Sequence, residues 1–193
     1  MTKRVFIIHV WGGSPDEGWK PWLKGELNKR EFEVIAPQMP NTDYPKIDEW
    51  VGFLAKKVGE PDENTYFVGH SIGCQTILRY LEKLPENKKV GGVLLVAPWL
   101  NLKLAAIEDE EDIKTMKPWI ETPIDFNKIL THNKKFTAIF SDNDPYVPVE
   151  DSELFKKRLG AKIIIQSNKG HFCDEDGVSE LPIVLEELLK MSE

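Results

Sequence analysis

Ser71 lies in Gly69-His70-Ser71-Ile72-Gly73, a G-x-S-x-G sequence between the apolar run Tyr66-Phe67-Val68 and a segment in which Ile72, Ile77, Leu78 and Leu81 recur at helical spacing. A serine hydroxyl is a weak nucleophile until a base takes its proton and a third group fixes the tautomer of that base. So equipped, it attacks acyl carbonyls. The flanking glycines suit a tight strand-to-helix turn that lifts the hydroxyl clear of a sheet. Four histidines compete to be the base. In proteins built around such an elbow the acid follows the serine along the chain and the histidine comes last. His9 and His70 precede Ser71, and His132 precedes every good acid at a strand end. That leaves His171, in Asn168-Lys169-Gly170-His171-Phe172. Asp142 and Asp144 in Ser141-Asp142-Asn143-Asp144-Pro145 both follow a strand, and either can serve as the acid or merely cap the turn. A developing oxyanion needs two preset backbone N–H donors. The amide of Ile72 is one candidate, and the other is expected from Trp11, with Val10 or Gly12 beside it.

The elements that must position these groups read as alternating strands and helices. Apolar runs at 5–8, 32–36, 66–68, 90–97, 136–140 and 161–165 have the continuous character of strands covered on both faces. Helices are expected from about 19 to 29, with Trp19, Trp22, Leu23 and Leu27 on one side, and then over 47–58, after Ser71, over 149–159 and over 178–190. A loop at 37–45 carries three prolines that hold it extended. From 98 to 134 the alternation breaks, and Trp99, Leu100, Trp119 and Phe126 offer a candidate wall for an apolar acyl pocket, with a surface helix packed on the core as the plain alternative. Six strands in this alternation predict a three-layer α/β sandwich whose sites form at the carboxyl ends of the strands.

With 193 residues, 41% of them hydrophobic, one domain over 1–193 suffices for one core. A net charge of −7 argues against a nucleic-acid partner, which would require clustered Lys and Arg. Cys74 and Cys173 have neither disulfide nor metal-ligand spacing, so reduced thiols are expected, with catalysis by neither. The acidic run Glu108-Asp109-Glu110-Glu111-Asp112 lacks designed spacing and reads as a solvated face; no metal or cofactor is expected. The apolar stretch after Met1-Thr2-Lys3-Arg4 is too short for a signal core, and no other stretch reaches the length of a membrane span. A cytoplasmic location is the resulting expectation.

Taken together, the early tryptophans Trp19 and Trp22, Met39-Pro40, the elbow, Arg79-Tyr80, Lys117-Pro118-Trp119, Asp142-Asn143-Asp144-Pro145 and Gly170-His171-Phe172 resemble the small serine hydrolases related to retinoblastoma-binding protein nine. The resemblance spans essentially the whole chain. It implies an α/β-hydrolase fold with a six-stranded, mainly parallel sheet and no large lid domain. In the D-x-x-V-P arrangement of α/β-hydrolases the acid stands three residues before the Val, which favours Asp144 over Asp142. Ser71, Asp144 and His171 are then the expected triad. Many of these proteins carry His-Gly after the first strand where this chain has His9-Val10, so the loop donor of the oxyanion hole is the least defined part. The expected activity is hydrolysis of a small or medium carboxylic ester, with a thioester or short peptide open to the same machinery and a small-molecule acyl substrate as partner. A binding module for a protein partner on the same scaffold is the rival reading, and an acyltransferase is the second.

Overall fold

The computed structural model describes residues 2–107 and 109–193. Six strands form one sheet: β1 (Arg4–Ile8), β2 (Glu33–Ile35), β3 (Thr65–His70), β4 (Gly92–Val96), β5 (Phe136–Ser141) and β6 (Lys162–Gln166). Their spatial order is β2-β1-β3-β4-β5-β6, and every neighbouring pair is parallel, so the sheet is wholly rather than mainly parallel. The inner strands β3, β4 and β5 are buried along their whole length, as their unbroken apolar runs require.

Helix α1 (Trp19–Asn28) crosses from β1 to β2 in one direction, and α2 (Ile47–Val58) returns from β2 to β3 in the other. Right-handed crossovers therefore put α1 and α2 on opposite faces. Helices α3 (Ile72–Glu82), α5 (Phe126–His132) and α6 (Asp151–Leu159) continue in the direction of α2 and share its face, where α2 packs on α3, α3 on α5 and α5 on α6. The C-terminal helix α7 (Pro182–Ser192) packs against α1 and completes the third layer. Between β4 and α5 the chain adds a 3₁₀ turn (Leu104–Ala106) and helix α4 (Glu110–Glu121). No described helix is long and apolar enough to cross a membrane.

Several element ends differ from the sequence expectation, each for a local reason. Strand β4 begins at Gly92 rather than residue 90, because the Val90 amide is drawn to the His132 carbonyl at 3.1 Å and the Gly91 amide to that of Thr65 at 2.8 Å. Helix α7 begins at Pro182 rather than 178, with proline in the first turn where its missing N–H costs nothing. Two helices, α4 and α5, occupy the stretch that the sequence left unassigned. Of the acidic run, Glu108 lies outside the described residues. Asp109 caps α4 by accepting from the Glu111 amide at 2.7 Å, and Glu110, Glu111 and Asp112 fill the first turn, where the helix dipole favours negative charge.

Candidate active site

Ser71 sits between β3 and α3 with φ 54° and ψ −114°, in the left-handed half of the map that a residue with a Cβ ordinarily avoids. Such a conformation costs on the order of 1–3 kcal/mol and persists only when its surroundings hold it. Here the Ser71 amide donates to the Val96 carbonyl at 2.9 Å, and the Cys74 amide to the Ser71 carbonyl at 2.9 Å. The two motif glycines are required by contact. A Cβ at Gly69 would stand 2.8 Å from the Cys74 nitrogen, and one at Gly73 would stand 2.4 Å from the Ile8 carbonyl oxygen. The G-x-S-x-G spacing thus lets α3 approach β1 and β3 closely enough to hold the turn.

His171 follows β6, and its Nδ1 lies 2.8 Å from Asp144 Oδ2. Asp144, beyond the end of β5, is buried, and its other oxygen accepts the amides of Tyr146 and Val147 at 2.8 and 2.9 Å. These three bonds hold the carboxylate in one orientation. Asp142, the competing acid, is exposed and takes the Asn168 amide at 2.8 Å, which pins the loop rather than the imidazole. With Nδ1 committed to Asp144, Nε2 is the ring nitrogen left to exchange a proton. The Tyr146 ring stands edge-on to the imidazole at 5.2 Å. Positive φ recurs in this loop at Asn168 (φ 55°), Gly170 (φ 52°) and Phe172 (φ 60°), of which the glycine alone adopts it freely. The Asp176 carboxylate accepts the amides of His171 and Cys173 at 2.8 and 3.0 Å, and it occupies the space a Cβ on Gly170 would need.

Ser71, Ile72, Trp11 and His171 all line one cleft of about 970 Å³, the size of a small-molecule site. Ile72 opens α3, where the first amides have no carbonyl partner within the helix. The Gly12 amide is already given to the Thr42 carbonyl at 3.0 Å, which removes it as a neighbour of Trp11 able to serve an oxyanion. Of the expected pocket residues, Trp99 lines the cleft. Leu100 and Trp119 do not. The Leu100 amide is bound to Asp151 Oδ2 at 2.6 Å, and Trp119 is buried against Trp50 with its indole N–H on the Pro45 carbonyl at 2.9 Å. Trp119 serves the core, and Leu102, Ile107 and Met116 stand in its place on the apolar wall.

The family model described as serine hydrolase matches residues 5–190. This chain belongs to the serine hydrolase family. The enzyme is 32% identical over 188 residues to the hydrolase YdeN of Bacillus subtilis (strain 168), covering 97% of this chain and 95% of that protein. It is 25% identical over 173 residues to the serine hydrolase RBBP9 of Rattus norvegicus, covering 89% and 87% respectively. The crystal structure of the B. subtilis ydeN gene product superposes with a TM-score of 0.88 at 30% identity, covering 98% of each chain. At 15% identity and a TM-score of 0.75, Est1E of Butyrivibrio proteoclasticus shares the fold over 97% of this chain and 88% of its own. These relationships agree with the resemblance read from the motifs, and the α/β-hydrolase fold is the one expected.

Two groups in this serine hydrolase escaped the sequence reading. His70 is fully buried, with its ring 5.4 Å from that of His171 and 5.7 Å from Trp19, and its Nε2 donates to the His171 carbonyl at 2.7 Å. Burial, reinforced by the neighbouring His171, holds its pKa well below the usual imidazole value, so the ring is neutral. Lys20 lines the cleft from the first turn of α1 and is only 3% exposed. It falls on the same helical stripe as the buried Leu23 and Leu27, which was a visible signal.

Proposed function

We propose that this serine hydrolase cleaves small or medium carboxylic esters by nucleophilic catalysis through Ser71, His171 and Asp144. The Ser71 oxygen attacks the ester carbonyl carbon while His171 Nε2 takes the hydroxyl proton. Asp144 holds the imidazole in the tautomer with hydrogen on Nδ1 and stabilises the imidazolium that forms. The negative charge on the carbonyl oxygen rests on the backbone amides of Ile72 and Trp11. Collapse of the tetrahedral adduct breaks the bond to the alkoxy oxygen, which leaves as the alcohol with the proton from His171. Water, deprotonated by His171, then splits the Ser71 acyl ester and frees the carboxylic acid. A thioester or short peptide follows the same path with a thiol or amine as leaving group.

The observation that carries this reading is the buried 2.8 Å bond from His171 Nδ1 to Asp144, facing the same cleft as a serine held at φ 54°. A binding module gains nothing from a strained serine beside an imidazole fixed in one tautomer. The apolar wall of Trp99, Leu102, Ile107 and Met116 suits a hydrocarbon acyl chain. Steady-state hydrolysis of para-nitrophenyl butyrate tests the reading. Ser71→Ala and His171→Ala are each expected to lower kcat by about 10³-fold or more, the scale on which such groups act as a unit. Variants that keep the wild-type rate would refute it.

A further inference from the structure

Lys20 is the second residue of α1, inside the cleft that Ser71 and His171 share. Among the described residues its Nζ has no hydrogen-bond acceptor and no carboxylate within 4.0 Å. Two features make this costly. Burial of the side chain takes hydration from the ammonium, the Trp19 ring with its centroid 5.8 Å from Nζ returns part of it, and a cation in the first turn opposes the helix dipole.

Carboxylates that line the same cleft accept backbone amides rather than Nζ. Glu17 accepts the Ser14 amide at 2.9 Å, Asp174 the Gly18 amide at 2.9 Å, and Asp176 the amides of His171 and Cys173. Burial lowers the Lys20 pKa, while Cys173, Glu17 and Asp174 oppose the shift and favour the charged form. Lys20 is the one lysine or arginine among the residues that line the cleft, whose carboxylates are Glu17, Asp109, Asp112, Asp174, Glu175 and Asp176.

Resting on the reading of Ser71 as the nucleophile, we propose that Lys20 Nζ is an anion subsite, and that the preferred ester carries a carboxylate beside its scissile bond. A charged acceptor gives the ammonium the short, strong bond that the protein withholds. The apolar lining residues Trp99, Leu102, Ile107 and Met116 take the apolar part of the same molecule. Two substrate types have this shape: the monoester of a dicarboxylic acid, with the anion on the acyl side, and an apolar acyl ester of a hydroxy acid, with the anion on the alcohol side.

Two matched series decide between them. In the first, para-nitrophenyl butyrate is compared with the para-nitrophenyl monoester of glutaric acid. In the second, phenyl butyrate is compared with meta-carboxyphenyl butyrate. In one series the wild type is expected to have the higher kcat/KM for the anionic ester. Lys20→Met should reduce that anionic-to-neutral ratio by about tenfold or more, the scale of a charge-assisted hydrogen bond, and Lys20→Arg should retain most of it. An unchanged ratio in Lys20→Met overturns the proposal. If that variant does not fold, a wild type that favours the neutral ester in both series overturns it equally. Failure of the underlying mechanism reads differently: Ser71→Ala would hydrolyse all four esters at the wild-type rate.

Discussion

His70 links the turn of Ser71 to the loop of His171. It immediately precedes Ser71, yet its imidazole N–H bonds the carbonyl of His171, 101 residues away. This contact fixes the backbone from which the imidazole hangs, while Asp144 fixes the ring. Replacing His70 by Gln removes that fit, and kcat/KM for ester hydrolysis is expected to fall about tenfold, the worth of one buried hydrogen bond. The same residue carries a pH signature. His70 is neutral when folded, with its pKa depressed, but protonates near 6.5 when unfolded. The unfolded state therefore binds more protons below pH 6.5, so the stabilisation present above that pH is lost as pH falls through and below it. Thermal melts from pH 7.5 down to 5 should show a shallower acid loss in His70→Gln than in wild type; parallel curves would contradict this assignment. The link was invisible in the sequence because the partner is a backbone carbonyl, which no residue type announces. The contact between Asp144 and His171 was legible because chain order and the D-x-x-V-P pattern single out both residues. Lys20 carried one signal, its place on the stripe of Leu23 and Leu27, but a lysine on such a stripe ordinarily extends its ammonium to water.

The element that varies most from a plain βα repeat is the segment from Trp99 to Thr122, which supplies the apolar wall. Three buried polar side chains attach it to the sandwich. Gln75 donates to the Trp99 carbonyl at 2.6 Å, and Arg79 to the carbonyls of Trp119 and Thr122 at 2.9 and 2.8 Å. Asp151, at the start of α6, accepts from the Leu100 and Asn101 amides and from the Asn101 side chain at 2.6–2.8 Å. Asp151→Ala leaves two partly buried amides without an acceptor and should reduce unfolding free energy by about 2–3 kcal/mol in urea titrations. A change below about 0.5 kcal/mol, the scale of an ordinary surface substitution, would show that the wall stands without this anchor. The six strands, and the helices between them other than α4 and α5, were legible because burial on two faces demands apolar runs in the strands and apolar stripes on the helices. Helix α4 was not, since Trp119 is its only buried residue among those described and its first turn is set by acids and a cap rather than by an apolar stripe.

At the scale of the whole molecule, one parallel sheet brings residues from distant parts of the chain to a single edge. Ser71 follows β3, Asp144 follows β5 and His171 follows β6, so strand order brings residues 100 apart in sequence, Ser71 and His171, into one cleft. The outline of this arrangement could be read before any coordinates, because an elbow serine in a βα repeat can meet a base only at the carboxyl edge. The occupants of the walls could not. Trp119 proved to be core, and Leu102, Ile107 and Met116, whose sequence context is ordinary, face the site. The central claim is that Ser71 is a nucleophile activated by His171. Treating the folded protein with a fluorophosphonate ester and locating the adduct by peptide mass spectrometry tests it most directly. The account predicts one phosphonyl group on Ser71 in the wild type and none there in Ser71→Ala or His171→Ala. A folded wild type left unlabelled, or labelled equally well without His171, would contradict it.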